Sequence, residues 1–127
     1  MKEIFISIAI IISIFIANKI TDNYTTYSVE ETSKTLHALR QEIKENKENK
    51  QLQEKINQIH EEWDKKYEKL AYYIEHNELE KVETNLTILK GYIEVEEYSD
   101  SIAKLDETIY ILTHIEDKNK FNLKNIF

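Results

Sequence analysis

Ile4 to Ala17 reads IFISIAIIISIFIA, an uncharged run in which ten of the fourteen residues are Ile or Phe. A central Ile or Phe gains roughly 0.3–0.6 kcal/mol on entering hydrocarbon, so insertion of the run as a helix is favoured by about 3–6 kcal/mol. The run is short. Fourteen helical residues rise about 21 Å, against a hydrocarbon core of about 30 Å. Lys2 and Lys19 flank it, and a Lys19 ammonium bent back to the headgroups extends the span to Ile20. Residues 1–20 are therefore expected to be a transmembrane signal-anchor that meets the lipid bilayer through residues 4–20. A cleaved signal peptide would need small residues at both positions that specify the cut. With Ala17 as the last residue, Phe15 fills the other position and is too large. A lipoprotein-type cut needs a Cys, and the chain has none. A buried core helix would show a polar face.

Lys2 and the amino terminus precede the run, and Lys19 and then Asp22 follow it. The charge bias across the span is small. A short basic head before a first apolar segment exports what comes next. The expectation is a single-pass protein of the cell membrane with its C-terminal domain outside the cytoplasm and no output domain inside. Ala9, Ser13 and Ala17 recur every four residues. That spacing is either a seam for a homo-oligomer or chance in an Ile/Ser/Ala tract.

Beyond the span, 127 residues in all leave room for one domain with one modest core. One Gly and no Pro remove the usual turn punctuation and argue for helices throughout. The net charge of −7 is the wrong sign for a nucleic-acid partner. It keeps a helical surface soluble and is repelled by anionic lipid and cell-wall polymers. Zero Cys excludes disulfides, thiolate metal sites and Cys nucleophiles. Heavy use of Ile, Lys, Asn, Glu and Tyr, with Arg40 the single Arg, fits an AT-rich bacterial genome.

Residues 21–27, TDNYTTY, read as a polar linker, with Tyr24 and Tyr27 suited to the headgroup level. Ser28 and Glu31 form an S-x-x-E capping box that would open a helix. Leu36, Leu39 and Ile43 make an apolar stripe. Projected forward by heptads, that stripe falls on positions 50 and 57. The next stripe runs instead through Leu52, Ile56, Ile59, Trp63, Tyr67, Leu70 and Ile74. The phase change predicts a turn near Asn46 to Asn49, where Asn adopts the left-handed conformation that ends helices. The second helix is expected to end near His76-Asn77. A third carries Leu79, Val82, Leu86, Leu89 and Ile93, with Gly91 inside it to permit close helix approach or loosen the last turn. A fourth, capped by Ser99 or Asp100, carries Ile102, Leu105, Ile109, Leu112 and Ile115. The fold class is thus all-α: an N-terminal transmembrane helix followed by an antiparallel four-helix bundle over residues 28–118. Residues 119–127 form an apolar C-terminal tail through Phe121, Leu123, Ile126 and Phe127. It is expected to fold back on the bundle, or else to serve as a docking peptide.

The residues that could carry chemistry are few. His37, His60, His76 and His114 are preceded at three residues by Lys34, Asn57, Tyr73 and Ile111, so the Glu-x-x-His pair of a di-iron bundle is absent. His60-Glu61-Glu62-Trp63-Asp64 begins like the zinc motif H-E-x-x-H but ends in Asp64. There is no phosphate-cradling Gly loop and no glycine-dependent nucleophile elbow. No catalytic, cofactor-binding or metal residue is expected, and the chain is not expected to be an enzyme. Trp63 reads as core packing rather than ligand stacking. His76, placed at a helix C-terminus, reads as a cation favoured by the helix dipole.

The N-terminal anchor, Trp63, Ile74, His76-Asn77-Glu78-Leu79, Leu86, Leu89, Ile93 and the final Asn125-Ile126-Phe127 together resemble a domain-of-unknown-function family. Its members are small membrane-anchored helical proteins of spore-forming Gram-positive bacteria. The likeness covers nearly the whole chain, and the polar run Lys44 to Gln51 departs from it. The resemblance implies no activity, substrate or catalytic residue. The function expected is a non-catalytic protein-interaction or scaffold module outside the membrane. The alternative is a bundle that binds a small ligand between walls of Trp63 and Tyr.

Overall fold

The computed structural model describes the backbone of residues 1–126 and the side chains through Phe121. The chain is all-α, with no strand among the described residues. Its helices are α1 (Lys2–Lys44), α2 (Asn49–Leu70), α3 (His76–Glu94) and α4 (Tyr98–Ile126). α1 packs on α2 and α4, and α3 closes the ring by packing on the same two. The expected stripes meet in one core. Leu36, Leu39, Ile56, Trp63, Leu70, Leu86, Leu89, Leu105 and Leu112 are fully buried in it. Tyr67, Ile74, Ile102 and Ile109, also expected there, are half-buried against its edge.

The largest departure lies at residues 21–27. They are helix, not linker, and α1 runs unbroken from Lys2 to Lys44. Ser28 opens no helix. It is buried in mid-helix, and its hydroxyl has no partner among the described residues. The physical reason is packing. Thr25, Ser28, Thr32, Leu36, Leu39 and Ile43 follow one another at spacings of three or four and are all buried. Short hydroxyl side chains therefore continue the core stripe back toward the exposed apolar run. No Gly or Pro interrupts the backbone between them.

Two of the three turns are built alike. After α1, Asn46 takes φ 58°. Its N–H bonds the Ile43 carbonyl at 3.2 Å, and that of Lys47 bonds Glu42 at 3.2 Å. After α3, Glu96 takes φ 61°, with Glu96 N–H on Ile93 at 3.1 Å and Glu97 N–H on Tyr92 at 2.9 Å. Both are Schellman endings, which satisfy the last carbonyls of a helix. Asn46 is where a left-handed residue was expected. Gly91 lies inside α3 without a positive φ, and a Cβ there would meet nothing within 4 Å. It makes no close helix approach.

The α2–α3 turn comes earlier than expected. α2 stops at Leu70, and His76 opens α3 rather than ending α2. Ile74 still packs on the core, but from the turn, with its N–H on the Leu70 carbonyl at 2.9 Å. α4 begins at Tyr98, which puts Ser99 and Asp100 in its first turn, not at its cap. It continues to Ile126, so residues 119–126 extend a helix instead of forming a separate tail. Phe121 does not fold back, being 62% exposed. The side chains of Leu123 and Ile126, and all of Phe127, lie outside the described residues.

Candidate functional site

The first half of α1 stands clear of the bundle. Its most apolar window has a mean hydropathy of 2.2 with none of its residues buried, which makes the helix long and apolar enough to cross a membrane. The two hydroxyls inside the run are satisfied by the helix itself. Ser7 Oγ donates to the Glu3 carbonyl at 2.9 Å and Ser13 Oγ to Ala9 at 2.8 Å. A hydrocarbon environment demands this internal pairing. Ala9, Ser13 and Ala17 line a shallow groove with Ile6, Ile10 and Ile14.

Where the exposed run meets the bundle, α1 and the end of α2 are tied together by a polar collar. The Tyr73 hydroxyl donates to the Thr21 carbonyl at 3.1 Å and lies 2.9 Å from Thr25 Oγ1. Thr25 Oγ1 is itself 2.8 Å from the Thr21 carbonyl, so two hydroxyl protons are shared among three contacts. Burial raises the Tyr73 phenol above its ordinary value; Thr25 opposes the shift, and Tyr24 and Asp22 add to it. One turn further on, Tyr24 and Tyr27 lie 6.3 Å apart between ring centres. The Lys69 ammonium sits 5.5 Å from the Tyr24 ring and that of Lys66 6.0 Å from the Tyr27 ring. Both distances allow cation–π attraction.

Lys66 is the residue that the stripe reading missed. It is buried, 3.4 Å from Glu31 Oε1 and 3.3 Å from Thr32 Oγ1. Its place between Trp63 and Leu70 follows the same spacing as the apolar residues, but a Lys is discounted in a search for core. The Tyr27 hydroxyl hydrogen-bonds Glu31 and holds its carboxyl below the ordinary range; burial opposes this and Lys66 reinforces it.

The histidines are scattered. His37 and His114 are exposed. His76 contacts the Tyr67 hydroxyl through Nδ1 at 2.9 Å and Glu80 through Nε2 at 2.7 Å. Because His76 begins α3, the dipole end beside it is positive, opposite to the expectation. His60 Nε2 meets Glu83 Oε1 of α3 at 2.5 Å and Asp64 Oδ1, one turn along α2, at 3.9 Å. These three could each offer one ligand atom to a cation. The H-E-x-x-D string gave half of that juxtaposition, while Glu83 arrives only through the α2–α3 packing. In the structure His60 is paired internally, and the cluster acts as a clamp between the two helices. Trp63 is completely buried. The surface depressions elsewhere are lined by Tyr73 with Lys118, by Glu30 with His37, by Lys81 with Glu107 and by Tyr110 with His114; Trp63 lines none of these.

No curated protein and no solved structure matches the chain at a significant level. A family model does, and it covers residues 19–126, which take in the bundle and the base of the exposed helix. The chain belongs to that family, a domain of unknown function (DUF4363).

Proposed function

We propose that the chain is a single-pass protein of a bacterial cell membrane, whose outer antiparallel four-helix bundle is a non-catalytic module that holds a protein partner. The observation that carries this reading is the double life of α1. One unbroken helix is exposed and apolar over its first half and forms a wall of the core over its second. A helix of this kind ties the bundle to the bilayer without a hinge, as suits a scaffold that must present one face in a fixed direction. Three cross-helix contacts favour antiparallel neighbours. Late α1 meets early α4 through Arg40 and Asp106 at 2.9 Å. Early α3 meets late α4 through Glu78 and Lys118 at 3.6 Å. Early α2 meets late α3 through Asn49 Nδ2 and the Ile93 carbonyl at 2.7 Å.

Cross-linking in native membranes, followed by solubilisation and mass analysis, tests the reading. A discrete adduct, either with a second copy or with one other protein, is the expected result. A chain that stays monomeric and unlinked at every surface position contradicts it.

A further inference from the structure

We propose that the membrane-proximal end of the bundle, the α2–α3 turn with Tyr72 and the end of α4 with Phe121, rests in the headgroup layer of the same bilayer that α1 crosses. This deepens the anchor reading and rests on it. Three observations converge. The first is a shortfall of length. Ile4 to Ile20 rises about 25 Å as helix, less than the hydrocarbon thickness of about 30 Å, so the residues next to the span are drawn toward the interface. The second is the missing hinge. Thr21 follows Ile20 in the same helix, and its carbonyl accepts the Tyr73 hydroxyl at 3.1 Å. The turn is therefore bolted to α1 one residue beyond the span. The third is register. Arg40 pairs with Asp106. Twenty residues back along α1 from Arg40 stands Ile20, and twenty residues forward along α4 from Asp106 stands Ile126, where α4 ends. With antiparallel neighbours, α4 stops level with the mouth of the span.

At that level the surface carries rings with no place in the core. Tyr72 is 90% exposed and Phe121 is 62% exposed. Amphipathic and apolar rings next to a membrane gain by entering the interface. Charges of both signs stand there too: Lys118 lies 3.3 Å from Glu75 and 3.6 Å from Glu78, the Asp22 charge acts on Lys120, and Lys69 lies over the Tyr24 ring. The contact is thus one of rings with the interface itself and does not require anionic lipid.

The chain has no Cys, so single-Cys spin labels are clean. Labels replace Tyr72, Phe121, Ile14 and Val95 in the full-length protein, one at a time, in phosphatidylcholine vesicles. Val95 lies in the exposed α3–α4 turn at the far end. Collision rates with oxygen and with a water-soluble nickel complex report depth. Labels at 72 and 121 should collide with nickel several-fold less than the label at 95. Equal rates at 72, 121 and 95, with 14 shielded, overturn this proposal and leave the anchor standing. A label at 14 as open to nickel as the label at 95 overturns the anchor, and the proposal with it.

Discussion

The Lys66 ammonium lies 3.4 Å from the Glu31 carboxylate, buried where α1 and α2 meet, in a stripe that is otherwise apolar or hydroxyl-bearing. Breaking such a pair leaves a charge without a partner, whereas replacing the charge by an apolar chain of similar volume does not. Glu31→Gln should cost about 1–2 kcal/mol, less than a fully buried pair because the carboxylate is partly open to water. Lys66→Met should stay within about 1 kcal/mol of wild type. Denaturant titration of the detergent-solubilised chain checks the contrast, and an equal loss in both variants would refute it.

Tyr73→Phe removes the hydroxyl that binds the Thr21 carbonyl and Thr25. The expected cost is about 1 kcal/mol, the usual net worth of such a bond. The effect should be local. Hydrogen exchange should quicken in the turn from Ala71 to Glu75 while the far end, around Glu96, stays unchanged.

Stability should fall at both ends of the pH scale. Glu31 is held below its ordinary 4.5, chiefly by the Tyr27 hydrogen bond. Its contribution is therefore present above pH 4.5 and lost as pH falls through the lowered value. Three phenols are raised above 10.0: Tyr27 by its hydrogen bond to Glu31, Tyr67 and Tyr73 by burial first. Their contribution is complete below pH 10.0 and lost as pH rises through the raised values. Melting temperatures across the range should show Glu31→Gln flattening the acid limb and Tyr73→Phe softening the alkaline one.

Glu96 holds φ 61°, a conformation that costs an L-residue with a Cβ about 1 kcal/mol or more. Glu96→Gly should therefore stabilise the chain by about 1 kcal/mol. Asn46→Gly should yield less, because Asn already tolerates the left-handed region. Thermal unfolding of both variants decides the order.

Periodicity made the four helices legible, since large apolar residues recur through α2, α3 and α4 at helical spacing. The phase change between Ile43 and Leu52 located the first turn, with Asn46 within it. What escaped was core written in polar letters. Thr25, Ser28 and Thr32 keep the stripe going across residues read as a linker, and Lys66 occupies a core position under a charge. Ser101 and Thr108 do the same in α4, one helical step from the isoleucines expected there. The apolar periodicity runs past the end of α2 because Ile74 serves the core from a turn. Glu83 beside His60, and Tyr73 on Thr21, are products of packing between segments far apart in the chain. No local pattern encodes them.

The proposed function rests on where the first twenty residues lie. Membranes from cells that make the full-length chain can be washed at alkaline pH, and both fractions weighed by intact-mass spectrometry. The expected result is the uncleaved chain, Met1 through Phe127, entirely in the pellet. Recovery of that same uncleaved chain in the supernatant would contradict it.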